Sequence, residues 1–148
     1  MPGDGLRDVL VGRATPKRVL AVFGTDAKIQ RYSSDGDISE ITYVYNASDE
    51  FLPTRPGCAS RPATFKFDFG LLSAITISVH QAELYTTGGI RIRSPHADVL
   101  AVFGTDCESL VGESFETLRY IGLGIELNIS RGDDFGVTSF VIFRQQRA

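Results

Sequence analysis

The side chains that could do chemistry are few and scattered. Acidic pairs occur at Asp49-Glu50 and Asp133-Asp134, a grouping able to share a proton or hold a divalent cation. Both fall in stretches of loop composition, and nothing nearby in sequence supplies a partner group, so they read as solvated turn residues. His80 closes a strand pattern and His96 opens a helix pattern; neither has a ligand-like companion. Cys58 and Cys107 are far apart, whereas metal ligands come in close pairs. Two free thiols fit that spacing, with a single disulfide as the alternative. Gly88-Gly89 precedes a strand and cannot open a helix onto a phosphate. No serine sits in a nucleophile elbow. Arg131-Gly132-Asp133 spells an adhesion tripeptide, yet turn chemistry alone explains its glycine and aspartate. Asn46-Ala47-Ser48 and Asn128-Ile129-Ser130 fit the glycosylation sequon, which matters only in a eukaryotic secretory setting. These residues predict no catalytic centre, no bound metal and no cofactor.

The positioning elements are far more legible. Val19 to Asp26 reads Val-Leu-Ala-Val-Phe-Gly-Thr-Asp, and Val99 to Asp106 repeats the same letters. Such an identity inside one chain of 148 residues predicts a duplicated unit. Thr15-Pro16 and Ser94-Pro95 supply a capping hydroxyl and then a proline for the first helical position. Gly24 and Gly104 stand where a left-handed cap is needed. The expected helices run from Pro16 to Phe23 and from Pro95 to Phe103. Val19, Val22 and Phe23 share one face of the first, and Val99, Val102 and Phe103 one face of the second.

Strand patterns follow each helix. Residues 27–38 are polar and end in a turn at Ser33-Ser34-Asp35-Gly36-Asp37. Ile41, Tyr43 and Tyr45 alternate with Thr42 and Val44; Phe65, Phe67 and Phe69 alternate with Lys66 and Asp68. Gly70 turns the chain into Leu71–Val79, and Ala82–Tyr85 reads as a further strand. In the second unit Phe115–Ile121, Ile125–Ile129 and Val137–Phe143 take the same places. The expected fold class is α+β: a tandem duplication of helix–β–β–β units, about 9–87 and 88–148. They would form one domain with one antiparallel sheet of six to eight strands and both short helices on one face.

Composition bounds the function. A formal charge of −3 and an isoelectric point near 5.3 argue against nucleic acid as a general partner. No apolar run is long enough to span a bilayer. The N-terminus lacks the pattern of a signal peptide. A complete chain would then be cytoplasmic, and one whose leader had been removed would be secreted or periplasmic.

The two units differ in one loop. Ala47 to Ala63 separates the first two strands of unit one, where unit two has only Gly122-Leu123-Gly124. Long loops in compact domains are commonly functional. This one carries Phe51 and Leu52 beside Asp49, Glu50 and Arg55, with prolines to stiffen it. An apolar tip inside charged flanks suits a partner's pocket; the alternative is that Phe51 folds back onto the core. Lys66, Asp68, Glu126 and Asn128 should lie on the outer sheet face near the base of this loop. Together these nine residues form the expected partner surface.

A helix of the form Ser/Thr-Pro-x-x-Val-Leu-x-x-Phe-Gly followed by three antiparallel strands, present twice, resembles the tandem-repeat fold of the β-lactamase inhibitory protein family. It is also similar to the single-copy outer-membrane assembly lipoproteins of the BamE/SmpA type. No contact residue is carried over from either. The leading expectation is a non-catalytic module that binds another protein, an inhibitor or immunity-type partner of an enzyme or toxin. The alternatives are a cell-envelope assembly scaffold and a small-ligand carrier or enzyme with an unrecognised pocket.

Overall fold

A computed structural model describes residues 5–7, 9–33, 36–46, 60–78, 84–86, 88–113, 115–130 and 136–144. The chain is α+β. Two short strands, β1 (Gly5–Leu6) and β2 (Val9–Leu10), precede helix α1 (Pro16–Phe23). Then come β3 (Lys28–Arg31), β4 (Ile38–Asn46), β5 (Ser60–Asp68) and β6 (Leu71–Ile77). Helix α2 (His96–Phe103) is followed by β7 (Glu108–Val111), β8 (Phe115–Tyr120), β9 (Ile125–Ser130) and β10 (Val137–Phe143). Strands β3 to β10 form one eight-stranded sheet in the order β3-β4-β5-β6-β10-β9-β8-β7, and every pairing in it is antiparallel.

Register explains which face is buried. Directly opposed residues share a face, and one step along a strand reverses it. One row crosses the sheet as Ile41–Phe65–Ile75–Ile142–Ile125–Tyr120, and all six are buried. The adjacent row reads Lys28–Thr42–Thr64–Thr76–Val141–Glu126–Arg119–Glu108, and none of these is buried. Aromatic side chains of both helices meet residues of the buried rows. In α1, Val19 is buried and the Phe23 ring packs 5.2 Å from Phe65 and 6.1 Å from Tyr43. In α2, Val99 and Phe103 are buried, with Phe103 packed 5.5 Å from Tyr120. Phe23 is only half-buried, so the two phenylalanines are not equivalent anchors.

Helix ends depart from the expected chemistry at α2. Thr15 caps α1, its hydroxyl accepting from Arg18 N at 3.3 Å, and Pro16 opens the helix. In α2, Pro95 is the cap residue and makes no side-chain cap bond, and His96 opens the helix. The prolines are one position closer together than the repeated octets, so Pro95 falls where Thr15 stands. Ser94 instead accepts from Arg91 N at 3.0 Å and closes the preceding turn. Both terminal glycines have positive φ, with ψ of 170° and −167°. That is the extended mirror region open essentially to glycine alone, not the left-handed helical cap expected.

Two strands were not anticipated. β3 and β7 occupy the polar segments after each helix, and every residue of both is exposed. Four strands therefore follow each helix rather than three. β5 begins at Ser60, so part of the expected loop is strand; Pro62 is tolerated because β6 pairing stops at Ala63. The further strand at Ala82–Tyr85 is replaced, where described, by a bridge between Thr86 and Leu6.

One polar device occurs twice. Tyr43 donates its hydroxyl to Gly24 O at 2.7 Å, and Tyr120 donates to Gly104 O at 2.8 Å. Each ties a strand to the carbonyl left unpaired at a helix end. Cys107, half-buried beside Tyr120, carries a free thiol. Burial, then the Cys107 neighbour, pushes the Tyr120 hydroxyl well above its ordinary value of 10.0. A raised folded-state value means that the unfolded chain loses its proton first. The contribution of Tyr120 is thus complete below pH 10 and is lost as pH climbs toward the folded-state value. Melting curves taken across pH 9 to 11 should show a decline for the wild type that is shallower for Tyr120→Phe.

Candidate interaction site

Hairpin geometry gathers exposed aromatic side chains at one end of the sheet. β5 and β6 are joined by a two-residue turn, Phe69-Gly70, with φ of 52° and 79°. Positive φ at both positions is the turn that matches strand twist, and it favours asparagine followed by glycine. Phenylalanine at the first position incurs the left-handed strain of a residue with a Cβ, about 1–2 kcal/mol. Its side chain is 100% exposed, so no packing offsets that strain.

The β3–β4 turn lies at the same end, because β4 begins beside the finish of β5. Tyr32 N donates to Asp37 O at 3.1 Å. The Tyr32 hydroxyl donates to Asp68 Oδ1 at 3.0 Å and also meets the Phe67 carbonyl. That bond to the carboxylate raises the Tyr32 hydroxyl above its ordinary value. The ring remains 61% exposed, and Leu71 beyond the turn is exposed as well. Behind this end a cavity of about 420 Å³ opens between α1 and the two turns, with Leu20 and Ile38 as apolar lining and Lys17, Arg31 and Asp37 as charged lining. Arg31 is steadied by donating Nη1 to Gly36 O at 3.1 Å. The arrangement offers apolar contact with charged margins and supplies no nucleophile–base pair.

Of the expected partner residues, Asp49, Glu50, Phe51, Leu52 and Arg55 lie outside the described residues. Lys66, Asp68, Glu126 and Asn128 all lie on the sheet face opposite the buried row, as the register requires. They are not gathered at the base of the loop. Asp68 ends β5 eight steps from Ser60, about 26 Å along the strand, while the loop joins the other end. β9 is three strands from β5, about 14 Å across the sheet. Asn128 is committed to the ladder: it accepts from Thr117 Oγ1 at 2.7 Å and donates to Ser139 Oγ at 2.9 Å. His96 has a partner the sequence did not reveal, Glu116 at 3.4 Å across the α2–β8 contact. Among the described residues no three histidine, cysteine or acidic side chains come together as a metal would need. No helix among them is long and apolar enough to cross a membrane.

No protein-family model and no curated protein matches the chain. Among solved structures it is similar to the crystal structure of the uncharacterized protein yfeY from Escherichia coli, at 13% identity and a TM-score of 0.51. The likeness covers 96% of this chain and 97% of that one. It concerns the fold alone.

Proposed function

We propose that the chain is a non-catalytic protein-binding module, an inhibitor or immunity-type protein that neutralises a partner enzyme or toxin. The observation that carries this reading is Phe69, a wholly exposed ring on a turn whose geometry disfavours it. Tyr32 and Leu71 supply further exposed apolar surface at the same end. Aromatic anchors of this kind dominate protein interfaces, because one rigid ring desolvates a large area at small entropic cost.

We also read the architecture as a duplicated unit with both helices on one sheet face, like the tandem repeats of the inhibitory family it resembles. Support comes from the repeated octet, the mirrored strand order and the paired tyrosine-to-glycine bonds.

The test is Phe69→Asn. Asparagine suits the left-handed position, so melting should rise, by roughly 0.5–1 kcal/mol of stability. An enzyme captured by the wild-type chain should lose activity in its presence and be released by the variant. A captured enzyme that keeps full activity, or that binds both chains alike, would refute the proposal.

A further inference from the structure

The two edges of the sheet occupy equivalent places in the topology, yet only one is guarded. β3 carries Lys28 and Arg31, and its ladder with β4 shifts register between Gln30 and Arg31, where β4 holds an extra residue. Charge and a bulge are the usual protections of a free edge. β7 has neither a cation nor a shift in its ladder with β8. Its Leu110 and Val111 are 72% and 62% exposed, and Phe115 beside it is 50% exposed.

The backbone of β7 also has a defined outward side. Gly112 N donates to Phe115 O at 2.7 Å at the hairpin end. Antiparallel ladders alternate, so Leu110 and Glu108 bond to β8, while Ser109 and Val111 aim their N–H and C=O groups out of the sheet. Leu110 opposes Thr117 on the face opposite the buried row, and Val111 opposes Glu116 on the face of that row.

We propose that β7 pairs antiparallel with β7 of a second copy of this chain, about a two-fold axis at Leu110. The inference does not rest on the function proposed above, whose residues lie at the β3 side. A two-fold axis normal to the sheet keeps each face on its own side and puts Leu110 opposite Leu110 of the partner subunit. Ser109 then stands opposite Val111 of the partner subunit, and Val111 opposite the partner's Ser109. These are the residues with outward backbone groups, so the register that matches faces also matches donors to acceptors. Glu108 meets no like charge, since in this register it falls beyond the partner's Val111.

Four residues a side make an interface below the standard size, so weak, concentration-dependent association is expected. Analytical ultracentrifugation should show a mass rising with concentration from 16.2 kDa toward twice that value. Val111→Pro removes only an outward N–H and should weaken association at least ~10-fold. Leu110→Lys should leave the chain monomeric, and so should Leu110→Glu, with melting temperatures near that of the wild type. Mixing those two variants should restore the dimer, because unlike charges then face each other at the axis. A wild type that stays monomeric near millimolar concentration overturns the proposal. So does a dimer indifferent to Leu110→Lys, or a mixture that stays monomeric.

Discussion

Phe65→Ala should remove roughly 3–5 kcal/mol of stability, a large share of what a domain of this size possesses. Phe65 has no exposed surface, lies on the central apolar row of the sheet between Ile41 and Ile75, and touches both Phe23 and Tyr43. Its ring joins α1 to the sheet, so the cavity left by alanine could not be filled without moving the helix. Urea unfolding monitored by circular dichroism measures the loss. Phe69→Ala is the control: the same deletion at a wholly exposed site should cost nothing. Equal losses at the two sites would mean that the register placing Phe65 inside is wrong.

Gly136→Ala should be nearly as damaging, for a different reason. Gly136 has φ of 69°, and a Cβ there would stand 2.3 Å from Ser94 O and 2.7 Å from Arg93 O. Those carbonyls cannot swing aside, because Val137 N donates to Ser94 O and Arg93 N donates to Val137 O. Left-handed strain of about 1–2 kcal/mol adds to an overpacking cost of about 1–3 kcal/mol. A decrease of roughly 2–5 kcal/mol in urea unfolding is therefore expected. Gly12→Ala isolates the backbone component, since its φ is 87° but nothing lies within 4 Å of the added carbon. If the two substitutions cost the same, the approach of the β10 entrance to the α2 entrance is not as close as described.

The sequence patterns that survived are those in which packing and local preference agree. Alternation in β4, β5 and β9 was legible because one side of each strand is covered and the other is not. The helices were legible from their repeated octet and its glycine. β3 and β7 were not, because a fully exposed edge strand has no burial to imprint alternation: Lys-Ile-Gln-Arg and Glu-Ser-Leu-Val read as loop. The one available clue was positional, since both follow the octet at the same distance. Phe69 was misread as the third member of an aromatic face. Asp68-Phe69-Gly70-Leu71 needs a two-residue turn if both flanking strands are to keep their faces, which places Phe69 at the tip. Tyr32 was missed because its bond to Asp68 links positions far apart in the chain.

The mirrored strand order has a consequence for where chain entropy is spent. Within each half, every strand of the sheet pairs with its neighbour in sequence. The halves meet along a single ladder, residues 74–77 of β6 against residues 140–143 of β10. Most of the sheet is thus locally wired. The closure of a long intervening loop is charged to one seam of four residue pairs. Three of those pairs are Phe140 with Ile77, Val141 with Thr76, and Ile142 with Ile75. The seam that bears the largest ordering cost therefore lies where apolar burial is deepest, in the middle of the sheet rather than at its rim.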